Sequence, residues 1–134
     1  MNGNSFRWST KALFGDIDYY GVVFYLRYFD WCTQAREHFI LSHLPDALNK
    51  TCSSVIEVIH KFHRPARLND DIVIEVSSQE VKRASVQMIF RIYRVTGSVR
   101  ELIGEQRQKI LFLDREGKLT RMLPEVCSML KHYE

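Results

Sequence analysis

Two carboxylates, Asp16 and Asp18, stand in the stretch GDIDYYG immediately before an apolar and aromatic run that starts at Val22. The start of a helix carries amide groups without intrahelical acceptors, together with the positive end of the helix dipole. A carboxylate placed there can cap the helix, which is the commonest use of Asp at that position. Set back across a small gap, it can instead attack a carbonyl or activate water while the open amides hold the oxyanion. Asp18 lies several residues ahead of the first clear helical position, so it need not fold back as a cap. Gly21, between the two, permits an unusual backbone angle and a close approach by another group. On the residues alone both uses stay open for Asp18, and Asp16 reads as a residue that shapes the turn.

Most other chemical signatures are missing from the sequence: it has no G-x-S-x-G elbow, no P-loop, no G-x-G-x-x-G and no C-x-x-C. His60 and His63 are three apart on an expected strand and so point to opposite faces, which rules out a simple metal pair. His38 and His43 are five apart near a helix end, a poor ligand spacing. All four read as surface or satisfied core histidines, and no metal or redox cofactor is expected. The sequon at Asn49 would matter only in a secreted protein and reads as a chance match.

These candidates need elements to position them. Phe6, Trp8, Thr10, Ala12 and Phe14 alternate with Arg7, Ser9, Lys11 and Leu13, which predicts a strand leading into GDIDYYG. From Val22 to about Leu41 there is no proline or glycine, and Val22, Leu26, Phe29, Thr33 and Ile40 recur at roughly helical spacing. With Val23, Phe24, Tyr25, Tyr28, Trp31 and Cys32 added, the first half of this helix is apolar on nearly every side, which predicts that it is enclosed. SSVIEVIHKFH, DIVIEVSSQEV, SVQMIFRIYRV and RELIGEQRQKILFLD read as four further strands, separated by turn signals short enough to favour antiparallel neighbours. In the third of these, Val86, Met88, Phe90 and Ile92 mark a buried face, while Ser85, Gln87 and Arg91 mark one in partial contact with solvent. A tail helix is expected from Pro124, a favourable first-turn residue. The outline is α+β, a long helix wrapped by a curved, mainly antiparallel sheet. Apolar surface left on the helix and the sheet edges suits pairing with a second copy, as a homodimer or homotetramer.

The chain has 134 residues, 46% hydrophobic and 26% charged, which fits one globular domain spanning residues 1–134. A net charge of +3 with dispersed basic residues demands no nucleic-acid partner. No apolar run approaches a bilayer span, and MNGNSFRWSTK lacks the apolar stretch of a signal peptide, so neither a membrane nor secretion is expected. Three cysteines, an odd number without paired spacing, suit reduced thiols in the cytoplasm.

The segment FGDIDYYGVVFYLRYFDW resembles the D-x-D-x-x-G-V-V-x-Y-x-x-Y signature of hotdog-fold acyl thioesterases of the 4-hydroxybenzoyl-CoA thioesterase type. The resemblance implies a hotdog fold and hydrolysis of an acyl-CoA with an aromatic or short-chain acyl group. It places the catalytic carboxylate on Asp18 and the oxyanion-binding amide on the backbone of Tyr25. HRPARLNDDIVIEV resembles the strand-turn-strand that follows the helix in bacterial short-chain members. VKRASVQ is similar to the basic segment that meets the nucleotide of coenzyme A, which implies a CoA contact for Lys82, Arg83 and Ser85. Two departures touch specificity: Tyr19 and Tyr20 replace small residues, and Arg27 stands where Asn is frequent. DWCTQAREHF and RQKILFLDREGKLTR also look like the enediyne polyketide thioesterases, which act on carrier-protein-bound chains. That branch usually has Asn at the position of Asp18 and uses a helix Arg matching Arg36. Arg36 could otherwise pair with an acid on its own helix. The acyl-CoA thioesterase reading therefore stands beside two alternatives, a carrier-protein-dependent thioesterase and a non-catalytic acyl-thioester-binding dimer. A hotdog hydratase would need a histidine that GDIDYYG lacks.

Overall fold

The computed structural model describes residues 4–46 and 50–134, so the sequon residue Asn49 lies outside the described residues. Five strands form one antiparallel sheet: β1 (Phe6–Lys11), β2 (Cys52–Phe62), β3 (Asp71–Gln79), β4 (Ser85–Thr96) and β5 (Val99–Leu113), in the spatial order β1-β3-β4-β5-β2. A long helix, α1 (Tyr25–His43), lies across one face of the sheet, and a short one, α2 (Pro124–His132), closes one end.

The inward face is set by alternation. Ile72, Ile74 and Val76 of β3, and Val86, Met88, Phe90 and Ile92 of β4, are buried at every second position, as the two-residue period of a strand requires. The helix meets this face with Tyr28, Trp31, Cys32, Ala35 and Phe39, spaced i, i+3, i+4, i+7 and i+11. Phe39 is wholly buried and stacks against Phe6 of β1 and Tyr133 after α2, so one ring locks the helix to both ends of the chain.

Four expectations change. The first strand ends at Lys11, and Phe14 opens a single 3-10 turn (Phe14–Asp16) instead of facing the core. The helix starts at Tyr25, three residues later than its apolar pattern, because Val22 and Val23 fold back against Ile17 and Asp18. It is also not enclosed: Tyr25, Leu26 and Leu41 are exposed, so the chain covers one side of it only. The strands on either side of RPARLNDD do not pair either. β3 moves across the sheet to lie between β1 and β4, and β2 takes the far edge beside β5. Eight residues, many of them committed to turns, reach across where a tight hairpin could not.

No helix among the described residues is long and apolar enough to cross a membrane.

Candidate active site

GDIDYYG forms a miniature hairpin. The Phe24 amide donates to the Asp16 carbonyl at 2.8 Å, Ile17 bridges Val23, and the Asp18 amide donates to the Val22 carbonyl at 2.8 Å. The tip is a turn in which the Gly21 amide donates to the Asp18 carbonyl at 3.1 Å, with Gly21 at φ +79°. Only glycine takes that angle without crowding a β-carbon, and the space beside it is open. Gly21→Ala should therefore cost about 1 kcal/mol of backbone strain and no steric clash, read as a lowered Tm in thermal unfolding.

The two carboxylates do different things. One oxygen of Asp16 accepts the Leu13 amide at 2.8 Å, and the other lies 3.8 Å from the Arg27 guanidinium, which also holds Asp30. Asp18 turns Oδ1 to the amides of Tyr20 (2.8 Å) and Val22 (3.4 Å), while no hydrogen bond from the described residues reaches Oδ2. Neither carboxylate caps α1. The cap position falls to Phe24, which has no side-chain acceptor to offer, and the first turn holds no acid. The amides that open the helix, Tyr25 among them, are thus left with the partner deficit that every uncapped helix start carries.

This end of the helix is pinned from behind. Val23 donates to the Ala66 carbonyl at 2.8 Å, and the buried Tyr28 hydroxyl accepts the Ala66 amide at 2.9 Å. Burial raises the Tyr28 pKa, which keeps that hydroxyl neutral at any physiological pH. Around the turn the surface is strongly apolar. Tyr19 and Tyr20 are 96% and 83% exposed, and Phe14 stands out beside them, so the two tyrosines that replace small residues line no cavity of their own chain.

Lys82 and Arg83 lie elsewhere. The register runs Lys11↔Asp71↔Val95↔Arg100 at the Asp18 end of the sheet and Gln79↔Gln87↔Lys109 at the other, and the β3–β4 turn that carries the pair belongs to the second end. Along the nine residues of β3 the separation is on the order of 30 Å. There Lys82 and Arg83 share a groove with Arg121 and Lys131, two cations that the sequence reading did not connect to them. Ser85 is not among the groove residues; its carbonyl accepts the Lys82 amide at 2.9 Å. Arg36 sits on α1 eleven residues past Tyr25, about 16 Å along the axis. It lines a mainly apolar cavity of about 80 Å³ formed with Phe39, Met88, Phe112 and Leu130.

The sequence matches the model of the thioesterase-like superfamily over residues 12–130, nearly the whole chain. The chain belongs to that superfamily. Thioester hydrolysis is the reaction class that comes with membership. No curated protein matches the sequence. Among solved structures, the dynemicin thioesterase, studied for its polyene binding, shares 20% identity with a TM-score of 0.88 over 97% of each chain. A 1,4-dihydroxy-2-naphthoyl-CoA thioesterase from Synechocystis shares 14% with a TM-score of 0.84 over 96% of each. An Asp-to-Asn mutant of 4-hydroxybenzoyl-CoA thioesterase, complexed with 4-hydroxybenzoyl-CoA, shares 18% with a TM-score of 0.83 over 94% of this chain and 98% of that one. The fold is the hotdog fold.

In this hotdog thioesterase the sequence reading missed a line of polar groups inside the core. Arg36 makes no ion pair with an acid on its helix; its Nη1 donates to Gln108 Oε1 on β5. Gln108 Nε2 donates to Gln106 Oε1 at 2.7 Å, and Gln106 Nε2 donates to His60 Nδ1 at 2.9 Å. Gln106 and Gln108 are 2% and 3% exposed. The signal was present in GEQRQKILF, where both glutamines fall on the positions that Ile110 and Phe112 continue inward. Burial, and secondarily the charge of His63, push the His60 pKa down to about 4, so this ring is neutral. His63 faces the other way, 2.9 Å from Glu105 at the surface.

Proposed function

We propose that this protein hydrolyses an acyl-CoA, aromatic or short-chain in its acyl part, with Asp18 supplying the anionic oxygen. The observation that carries this reading is the division of labour at the start of α1: Asp18 has a free Oδ2 beside a helix that neither aspartate caps. The thioester carbonyl would bind at the Tyr25 amide, where charge that develops on its oxygen meets the positive end of the helix. Oδ2 of Asp18 then attacks the carbonyl carbon to give a mixed anhydride that water cleaves, or takes a proton from a water molecule that attacks the carbonyl carbon itself. In either course the C–S bond breaks, the thiol leaves, and water ends as part of the free acid.

The site would be shared between two copies. β2 is an eleven-residue edge strand, exposed along almost its whole length, with Ile56, Val58, Ile59 and Phe62 open to solvent. Unprotected edges of this kind are covered by pairing. Two-fold antiparallel pairing of β2 with its copy would bring the Phe62 end of one protomer, near its Asp18, to the Cys52 end of the other, on the side where Lys82 and Arg83 lie. The two positions, on opposite ends of one chain's sheet, then fall on the same end of the joined sheet. The three cysteines are free thiols, which supports a cytoplasmic enzyme.

The groove of Lys82, Arg83, Arg121 and Lys131 would hold the nucleotide phosphates. Lys82→Ala with Arg83→Ala should raise KM for an acyl-CoA about tenfold and leave the matching acyl-pantetheine nearly unchanged, since only the former carries those charges. Equal losses on both substrates would remove the assignment.

A carrier-protein-bound acyl chain is a second reading, favoured by the apolar cavity behind Arg36, which gives a longer chain somewhere to lie. Thiol release from benzoyl, naphthoyl, short-chain and long-chain acyl groups, each on CoA and on a carrier protein, separates the two. Binding of these thioesters without any turnover would leave only a non-catalytic binding dimer.

A further inference from the structure

The core line from Arg36 to His60 has a direction. A guanidinium can only donate, so Gln108 must present its oxygen to Arg36 and its amide nitrogen onward. Gln106 is forced the same way round, and His60 Nδ1 is left as an acceptor. A neutral imidazole that accepts at Nδ1 carries its proton on Nε2. The chain therefore fixes the His60 tautomer from a positive charge on the far side of the core. Bonds aligned head to tail polarise one another, which strengthens the last N–H as a donor.

That last donor has no partner. Nε2 of His60 is out of contact with solvent, and no acceptor among the described residues meets it. Leaving a buried donor unpaired is costly, and two buried glutamines and a half-buried arginine are arranged to aim this one. Its surroundings place it beside the first turns of α1: the His60 ring is 5.2 Å from that of Phe29 and 5.8 Å from that of Tyr28. Gly104 leaves just enough space, since a β-carbon there would come within 3.3 Å of Nε2. Phe62, half exposed at the end of β2, has its ring centre 4.2 Å from that of His60.

We infer that His60 Nε2–H is a specificity-determining donor for an oxygen acceptor on the acyl group of the substrate, set by the Arg36–Gln108–Gln106 line. The inference rests on the thioesterase reading with the carbonyl at Tyr25. Tyr28 and Phe29 lie about one helical turn from Tyr25, so the acceptor stands farther along the acyl group than the thioester carbonyl itself. That position fits a hydroxyl on an aromatic ring or a keto oxygen farther along an aliphatic chain.

Two matched pairs of CoA thioesters test this: a ring-hydroxylated benzoyl group against benzoyl, and a 5-oxoacyl group against the saturated acyl group. In the native enzyme kcat/KM should favour the oxygenated member of one pair by on the order of 10- to 100-fold, and the pair that responds tells aromatic from aliphatic substrate. In His60→Phe the ratio should fall to near 1 with turnover of the plain member retained. Gln106→Leu keeps His60 but frees its tautomer. It should lower the ratio partially and shift the His60 ring nitrogens in the ¹⁵N spectrum away from the Nε2–H pattern. A role confined to packing would lower both members of a pair equally. Ratios near 1 in the native enzyme, ratios unchanged in both variants, or a native spectrum showing the Nδ1–H tautomer would overturn the inference. Failure to hydrolyse any of the four thioesters would instead count against the acyl-CoA reading on which it rests.

Discussion

Asp18→Asn should lower kcat by on the order of 10²–10⁴ while changing KM far less. Asn nearly matches Asp in shape, and its side-chain oxygen can still accept the Tyr20 and Val22 amides that now bind Oδ1, so the turn and fold should survive. The substitution removes the anionic oxygen that hydrogen bonding leaves free. Asp16→Asn is the control. Its carboxylate is engaged by the Leu13 amide and Arg27, so its loss should cost roughly 1 kcal/mol of stability and little turnover. Single-turnover hydrolysis by both folded variants decides the matter. Near-normal turnover by Asp18→Asn would move the chemistry to Arg36.

The second large effect concerns assembly. Ile56→Lys with Ile59→Lys places like charges along β2 at two half-exposed positions, where the single chain loses little packing. Across a two-fold axis those charges oppose each other. The expected product is a folded monomer by light scattering and circular dichroism, with kcat/KM for an acyl-CoA reduced at least 10²-fold, because Asp18 is then parted from the cations of the other copy. A fully active monomer would show that the site lies within one chain. A persistent oligomer would show that β2 is not the contact.

The parts of this fold that were legible in the sequence are those where one period dominates. Val86, Met88, Phe90 and Ile92 alternate strictly, and the structure buries all four. Pro124 marked the start of the tail helix to the residue. At the helix start the signal misled, because Val22 and Val23 are not helical: they pair with Asp18 and Ile17 across a hairpin, and the Val23 amide also donates to the Ala66 carbonyl. No local pattern reports a pairing of that kind. The order of strands was hidden for the same reason, since β3 pairs with a strand some sixty residues earlier. Within the candidate site, the motif drew attention to the turn just ahead of α1 that holds Asp18. Sequence spacing said nothing of which carboxylate oxygen would stay unbound, or of the buried line from Arg36 to His60, whose four members are scattered over three elements.

The strand order also bears on how the molecule forms. β3, β4 and β5 are joined by short turns and pair with their immediate successors, so their contacts close small loops. The two edges differ: Lys11 pairs with Asp71 and Cys52 with Leu113, each across about sixty residues. Closing loops of that length costs more chain entropy, and contacts so distant in sequence are the slow ones in folding. A central three-stranded meander is therefore the natural nucleus, with β1 and β2 docking afterwards. Those late edges are the ones that lead into the Asp18 turn and carry the exposed face of β2. Contact order thus places the Asp18 turn among the parts expected to settle late.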